Sequence, residues 1–457
     1  MRVCHTIQPV FDDPNLVAFG GLPAVMRLAE QAGLHELVEQ HLTLPGTAGA
    51  NAAIKVSALI AGMVVGADSI SDMDVLRHGG MGRVFDGLRA ATTLGTHLRA
   101  YRFGHVRQLD AVASRLLIKL AGLSPILDGA DQLTFVDVDD TIRETHGYRK
   151  QGAAYGYSRV KGLNAILATI STPTSAPVIA ATRLRKGNVS SARGAARLIG
   201  DTLATLRRAT TPSLVIVRAD SAYFNHATIA AITVGGARFS ITARMNQAVT
   251  RTIATIDEAA WTTIRYPHAL HDEAQQVWIS DAEVAEVPFT AFTSRRKADH
   301  VTGRLIVRRV RRLNPNAKAQ GELLPGYRYH AVFTNSTFAL VDAEACHRDH
   351  AIIEGVFADL KDGPLAHAPS GKFMANSAWL ALTAMAFNLT RAAARIASKT
   401  LGRARTSTVR RTLIQVAARI ANQARTWLLH LPRDWPWEPQ LATLYNAAFG
   451  PPPAAAT

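Results

Sequence analysis

The fold is decided by a stretch in which apolar and acidic residues alternate, Phe135-Val136-Asp137-Val138-Asp139-Asp140-Thr141. Because side chains alternate across a strand, Asp137 and Asp139 point to one face and Asp140 points to the other. Three carboxylates this close together repel one another unless a cation neutralises them. The stretch therefore predicts a strand that ends at a cation site, with Asp137, Asp139 and Asp140 as candidate metal ligands.

Further apolar runs, separated by Pro, Gly and Ser, surround this strand and predict a sheet. The predicted strands are 133–138, 163–170, 178–183, 214–217 and 239–243. Predicted helices at 192–208 and 227–234 lie between the later strands, which indicates an α/β domain with a mixed sheet. Residues 246–325 form a β-rich, basic insertion in this prediction. A strand at 329–334 and a helix at 342–361 then return to the sheet domain.

The whole chain is predicted to divide into five segments. They are a helical N-terminal region at 1–130, the first part of the sheet domain at 131–245, the insertion at 246–326, the second part of the sheet domain at 327–372, and a basic helical region with its tail at 373–457. Residues 92–99 fit a short DNA-recognition helix, although most amphipathic pieces of this kind are ordinary bundle helices. We expect helix to continue to about residue 431.

Cysteine content and hydropathy limit where the protein can work. Cys4 and Cys346 are too few for a disulfide scaffold, and this favours a reducing compartment. The apolar runs are too short, or too often interrupted by polar residues, to span a bilayer. We therefore expect a cytoplasmic protein without a membrane partner.

Two further acids stand where a carboxylate is costly. Asp220 directly follows a predicted buried strand, where the catalytic groups of open α/β sheets collect. Glu354 shares one predicted helical face with His347, His350 and Lys361. Two Asp and one Glu can hold two Mg²⁺ or Mn²⁺ ions ~4 Å apart around a phosphoryl group. Singly, each acid could instead be a turn cap or a solvated partner of a lysine.

The balance of charge favours a polyanionic partner. The chain carries 51 Lys+Arg against 35 Asp+Glu, a net charge of +16, and no Asp or Glu lies between Gly363 and Arg433. In that segment Arg391, Arg395, Lys399 and Arg403 are predicted to line one helical face that binds a DNA backbone, unless their stems lie over the catalytic domain. A second basic cluster comprises Arg304, Arg308, Arg309, Arg311 and Arg312.

These motifs together resemble a known family. They are Val136-Asp137-Val138-Asp139-Asp140-Thr141, Leu184-Arg185-Lys186-Gly187-Asn188, Arg218-Ala219-Asp220-Ser221 and the helix that carries Glu354 and Lys361. The chain resembles a DDE transposase of bacterial insertion sequences, specifically of the IS1380 family. Its acidic helix is similar to the Y-x2-R-x3-E-x6-K pattern of the IS4-like group, with His347 and His350 at the Tyr and Arg positions.

The resemblance implies an RNase H-like catalytic core with a β-rich insertion between the second Asp and the Glu. It implies that Asp139, Asp220 and Glu354 hold two Mg²⁺ or Mn²⁺ ions, with Asp140 as the rival to Asp139. It also implies cut-and-paste movement of DNA, in which water cleaves the element's end and the freed 3′-hydroxyl attacks target DNA. The implied partners are terminal inverted repeats, target DNA and a second copy of the chain in a synaptic complex.

Several residues outside the acids are candidate DNA contacts. Arg185 and Lys186 precede Gly187, whose flexibility allows a tight loop near a phosphate, although a solvated turn is the alternative. Tyr155 lies among cations and suits an unpaired nucleotide or a core-edge loop. Trp261 resembles the stacking tryptophan of hairpin-forming transposases, or belongs to a simple strand.

Two other functions fit parts of this pattern. An inactive or domesticated transposase would bind DNA as a repressor, and a metal-dependent nuclease of the same fold would cleave without joining. The complete set of Asp139, Asp220 and Glu354 argues against the repressor. Terminal inverted repeats in the flanking DNA would distinguish a transposase from both.

Overall fold

The computed structural model describes residues 1, 3, 6–146, 149–264, 271–272, 277–278, 282–311, 327–423 and 426–451. Arg312, predicted above to bind DNA, lies outside these residues, as does Cys4. The chain folds as two compact units. One comprises Leu127–Glu144 and Ala153–Phe357, and the other comprises Met1–Ile126, Thr145–Gly152 and Ala358–Thr457. The division of the chain into five segments stays a prediction.

Within the described residues, the first of these units is built on a ten-stranded sheet. Its strands are β1 (Leu133–Glu144), β2 (Ala154–Tyr155), β3 (Lys161–Ser171), β4 (Val178–Lys186), β5 (Leu214–Ala219), β6 (Arg238–Thr242), β7 (Thr262–Ile264), β8 (Ala282–Ala291), β9 (Val301–Arg311) and β10 (Tyr327–Thr334). A separate two-stranded hairpin pairs His271–Asp272 with Val277–Trp278.

The strand order is β2-β3-β1-β5-β6-β10-β9-β8-β7, with β4 also paired to β3. Strand β1 runs antiparallel to β3 and parallel to β5, and β5 runs parallel to β6. The prediction of a mixed α/β sheet is confirmed. Because β1, β5 and β6 share one direction, their carboxyl ends lie at the same edge of the sheet.

Strand β1 is longer than the sequence pattern predicted. It continues through the acids to Glu144 because β3 pairs with it along its whole second half, with Asp139 opposite Leu167. The parallel pairing with β5 stops earlier, where Val138 lies opposite Ala219. Asp139 is therefore the first residue of β1 that has no partner on the β5 side. The pairing with β5 ends at the acids, whereas the pairing with β3 continues past them.

Five α-helices in the described residues accompany the sheet. They are α1 (Ala195–Ala209), α2 (His226–Val234), α3 (Gln247–Ile253), α4 (Leu340–Arg348) and α5 (Ile352–Lys361). Helix α1 is amphipathic, and buries Leu198, Leu203 and Leu206 on one face. The single helix predicted at 342–361 is interrupted by a 3₁₀ turn at Asp349–Ala351, so the residues before and after the turn belong to separate helices. Other 3₁₀ turns occur at Ser221–Tyr223, Glu258–Ala260 and Lys297–Asp299.

The predicted insertion is β-rich and continues the same sheet. Strands β7, β8 and β9 lie beyond β10, which joins them to β6 through antiparallel pairing. Ile264, Ala282 and Val284 form a small buried cluster between β7 and β8. Strands β7, β8 and β9 of the insertion therefore extend the same sheet.

The other unit is mainly helical. Its α-helices are Leu22–Gln31, Leu34–His41, Gly46–Gly49, Ala52–Val65, Met81–Val84, Ala91–Arg99, Phe103–Leu123, Phe373–Ala397, Thr406–Val409 and Glu438–Phe449, with 3₁₀ turns at Ser71–Leu76 and Leu401–Arg403 and a π-helical turn at Arg410–Ile414. Helix Phe373–Ala397 is buried along nearly its whole length, and the indole of Trp379 donates to the Pro364 carbonyl at 2.6 Å. Helix Ala91–Arg99 buries Leu94 and Leu98.

The prediction that helix continues to about residue 431 is wrong. Strands Ala418–Gln423 and Thr426–His430 form a hairpin, and the first of them pairs with Leu16–Val17. Ala418 and Ile420 are buried while Arg419 is exposed, a period of two that fits a strand. Of the helices in the described parts of the chain, none combines the length and the apolar character needed to cross a membrane.

Candidate active site

Asp139 and Asp220 lie at the same edge of the sheet because the strands that carry them, β1 and β5, run parallel. Asp139 follows Val138 in β1, and Asp220 follows Ala219 in β5, and these two neighbours are register partners. Burial raises the pKa of Asp139 to about 7, and the negative charges of Asp220, Asp140 and Glu354 add to this rise. Glu354, in the first turn of α5, is therefore close enough to Asp139 to interact with it electrostatically.

The backbone orients both aspartates in the same way. The Asp140 N–H donates to Oδ1 of Asp139 at 2.7 Å, and the Ala222 N–H donates to Oδ1 of Asp220 at 2.9 Å. Among the described residues, the Oδ2 atom of each aspartate receives no hydrogen bond. Each carboxylate is thus fixed through one oxygen and leaves the other available to a ligand.

Asp137 has a different environment. Its two oxygens accept from Nε and Nη2 of Arg218 at 2.6 and 2.8 Å, and both side chains are buried. Arg218 also donates to the Cys346 carbonyl at 2.8 Å and lies 4.2 Å from the centre of the Phe135 ring. Because both of its oxygens are taken, we do not retain Asp137 among the metal ligands.

Asp140 is also neutralised by an arginine. Arg185 and Asn164 both donate to its Oδ2 atom, and the Arg185 side chain is only 7% exposed. The same guanidinium donates to the carbonyls of Ser191 and Arg193 at 2.7 Å. Arg185 therefore connects the end of β4 to the turn that follows it. We no longer propose Arg185 as a phosphate contact or Asp140 as a metal ligand.

Lys186 and Gly187 complete that turn. Lys186 is exposed. A Cβ atom on Gly187 would lie 2.0 Å from the Gly162 carbonyl oxygen and 2.4 Å from that of Ala154. Glycine is needed here because three backbone segments approach closely, and not because the loop is flexible, as the sequence had suggested.

The two histidines of the acidic helix motif play different parts. His347 is buried, with its ring nitrogens 3.0 Å from Ser240 Oγ and 2.9 Å from Thr242 Oγ1. Burial lowers the pKa of His347 to about 3, so it is neutral and cannot reach a DNA phosphate. His350 stacks on it with ring centres 4.8 Å apart and is close enough for its charge to oppose the burial-driven rise in the pKa of Asp220. His350 thus remains next to the acids.

Sequence reasoning missed Arg244, which follows β6 at the same edge of the sheet. Its Nε donates to the Ser221 carbonyl at 3.0 Å and its Nη2 to the Ala222 carbonyl at 3.5 Å. Its charge also opposes the rise in the pKa of Asp220. The available signal was its position directly after a buried strand, the same signal that identified Asp220.

Three members of the basic cluster of the insertion, Arg304, Arg308 and Arg309, have intramolecular partners. Arg304 pairs with Glu286 at 2.7 Å and donates to two carbonyls, and Arg308 pairs with Glu344 at 2.9 Å. Arg311 lies at the end of β9. We therefore do not retain Arg308 as a DNA contact, since its charge is already paired.

Arg309 is more enclosed than Arg304 and Arg308. It is 5% exposed, pairs with Glu258 and Glu283, and lies between the rings of Trp261 and Tyr327 at 4.2 and 4.5 Å. Trp261 therefore stacks on an arginine within the unit, and both residues have a structural role. Tyr155 is different, because 68% of its side chain is exposed.

In the helical unit, the predicted cationic face does not form as one helix. Helix Phe373–Ala397 ends before Lys399, which is exposed. Arg391 is buried, lies 3.8 Å from Asp359 and donates to the carbonyls of Gly402 and Ala404, so it has an intramolecular use that the sequence did not show. The stem of Arg395 packs on Gly402. Lys361 is exposed at the end of α5.

The donors left open at the site suit a hard divalent cation. Asp139, Asp220 and Glu354 offer carboxylate oxygens, and none of the three forms an ion pair with another described residue. Among the described residues, no group of three or more His, Cys, Asp and Glu side chains is already close enough together to hold a metal ion. The fit therefore rests on the type and the charge of the donors.

A search of curated proteins finds no match. The model of a family described as transposase DDE domain group 1 matches residues 4–448, which is nearly the whole chain. The chain therefore belongs to the DDE transposase family.

Proposed function

We propose that the protein cleaves DNA at the ends of an insertion sequence and joins those ends to target DNA by a metal-dependent cut-and-paste reaction. The strongest support is that some acids at the sheet edge are paired with arginines and others are not. Asp137 and Asp140 are neutralised by buried arginines, whereas Asp139, Asp220 and Glu354 are not paired with any described residue. A site that concentrates unpaired carboxylates needs a cation from outside the protein.

Asp139 carries the clearest sign of this need. Its raised pKa means that the metal-free site holds a proton near neutral pH, which a bound cation would replace. Two Mg²⁺ or Mn²⁺ ions held by Asp139, Asp220 and Glu354 would activate the attacking oxygen and stabilise charge on the phosphate. The backbone N–H groups that fix Oδ1 of both aspartates orient the open Oδ2 atoms before any ligand arrives.

The fold supports an RNase H-like catalytic core. Three successive antiparallel strands, β1, β3 and β4, are followed by β5 and β6, which lie parallel to β1 on its other side. The β-rich segment enters between Asp220 and Glu354, as the resemblance to the IS1380 family implies. We retain that family as the finer assignment within the DDE transposases.

DNA is the proposed partner, both as terminal inverted repeats and as target. The net charge of +16 supports it, as do the exposed side chains of Lys186, Tyr155 and Lys399, which we keep as candidate contacts with Arg395 and Lys361. We also propose that two copies of the chain act in the synaptic complex. The reaction would take place in the cytoplasm, on nucleoid DNA.

The test is a strand-transfer assay that uses DNA carrying the inverted repeats that flank the gene. Asp220→Asn and Glu354→Gln should each abolish cleavage in Mg²⁺ while DNA affinity stays within about twofold, because affinity comes mainly from phosphate contacts. Lys297→Ala, an exposed change on another turn, is the matched control. Near-normal cleavage by either acid variant would contradict the assignment.

Other outcomes of the same assay identify the alternatives. Binding of the repeats without cleavage by the unaltered protein would indicate a repressor. Cleavage without joining of the 3′-hydroxyl to target DNA would indicate a nuclease.

A further inference from the structure

Arg244 is the third polar residue in a row at the carboxyl edge of the parallel strands. Asp139 belongs to β1, Asp220 follows β5, and Arg244 follows β6 after a gap of one residue. Strands β5 and β6 are in register with Ala219 opposite Ile241, and this places the residues that follow them side by side. Ligands of open α/β sheets bind at this edge.

The guanidinium of Arg244 is held on the turn that Asp220 caps. It donates to the carbonyls of Ser221 and Ala222, while the Ala222 N–H donates to Asp220. The carboxylate and the guanidinium are therefore fixed to the same three-residue turn. A shift in one would displace the other.

Arg244 differs from the other arginines near the acids. Arg185 and Arg218 are buried, and each is paired with a carboxylate. Arg244 is exposed, and among the described residues it forms no ion pair with a carboxylate. Its hydrogen bonds to carbonyls use Nε and Nη2, and Nη1 has no hydrogen-bond partner among the described residues.

We propose that Arg244 is a catalytic residue that donates to a non-bridging oxygen of the scissile phosphate. The inference rests on the proposed function, because it needs a phosphodiester at the acids. A guanidinium stabilises charge on that oxygen without forming or breaking a bond, and its anchored position reduces the reorganisation needed during the reaction. It also gives the anionic DNA a cation beside three carboxylates that would otherwise repel it.

The test compares Arg244→Ala with Arg238→Ala, which removes an exposed arginine at the opposite end of β6. Cleavage of end DNA in Mg²⁺ should fall about 100-fold for Arg244→Ala and should be unchanged for the control. Arg244→Lys, which keeps a positive charge, should recover part of the rate. It also carries the test if the alanine variant fails to fold.

Affinity for modified DNA separates phosphate contact from a purely structural role. End DNA with a methylphosphonate at the scissile position lacks the charged oxygen. Without divalent metal, Arg244→Ala should bind normal DNA about 10-fold more weakly than the unaltered protein, and both should bind the methylphosphonate DNA equally. An equal loss on both DNAs, or unchanged cleavage by Arg244→Ala, would overturn the proposal. If the unaltered protein does not cleave, the proposed function fails instead.

Discussion

Replacing each of two aspartates on the same strand by Asn should change stability in opposite directions. Asp137→Asn removes the carboxylate that pairs with the buried Arg218. An uncompensated buried charge typically costs about 3–5 kcal/mol, and we expect the lower end because the Asn amide oxygen can still accept one hydrogen bond. Asp139→Asn removes a charge that the metal-free site disfavours, and should stabilise the protein.

The size of the second effect follows from the pKa of Asp139. The ordinary value of 3.8 rises to about 7 in the folded protein, a difference of about 3 units. At about 1.36 kcal/mol per unit, the charged form costs at most about 4 kcal/mol above pH 7. The folded state binds the extra proton between about pH 4 and 7, so the free energy of unfolding of the unaltered protein falls as pH rises through that window. The advantage of Asp139→Asn should therefore vanish near pH 4 and be complete above pH 7.

Urea unfolding at pH 5 and pH 8, followed by circular dichroism in the presence of EDTA, measures both effects. Because the chain has two compact units, hydrogen exchange of peptides from β1 identifies the transition that belongs to the sheet. The reasoning is refuted if Asp139→Asn loses as much stability at pH 8 as Asp137→Asn. It is also refuted if Asp137→Asn leaves stability unchanged.

Three other substitutions test single features of the fold and of the DNA-binding surface. Gly187→Ala should lower the free energy of unfolding by about 1–3 kcal/mol, because its Cβ would overlap a backbone carbonyl. Gly200→Ala, at an open helical position, should raise that free energy by up to about 1 kcal/mol, and thermal melting compares the two variants. Arg309→Ala should cost about 1.5–3 kcal/mol in urea unfolding and leave the salt dependence of DNA binding unchanged, since its charge is already paired. Lys399→Glu should reduce the slope of log K against log salt by about 0.9 for each DNA phosphate that the lysine neutralises, and an unchanged slope with intact fold would exclude Lys399 from the DNA-binding surface.

Apolar periodicity was sufficient to predict most of the sheet. The strands 163–170, 178–183, 214–217 and 239–243 were each found within one to three residues of their ends, because alternation and turn residues are local signals. The hairpin that begins at Ala418 was missed because its period of two is short, with only Ala418 and Ile420 buried on either side of exposed Arg419. The partners of Arg391 and Arg309 could not be predicted, since they come from segments distant in the sequence.

The register between neighbouring strands determines which acids are paired with arginines. A single sequence does not reveal that register. Asp137 lies directly opposite Arg218 in the parallel pairing of β1 with β5, and Asn164 lies opposite Arg185 in the pairing of β3 with β4. Asp137 is therefore neutralised by its direct cross-strand partner, whereas Asp140 contacts Arg185 across β3, beside its diagonal neighbour Asn164. A shift of two residues in the pairing of β1 with β5 would keep each side chain on its face and would place Asp139 opposite Arg218. The same alignment that buries two carboxylates against arginines leaves Asp139 one residue beyond the last β5 partner, where its neighbours among the described residues on that side are Asp220 and the first turn of α5.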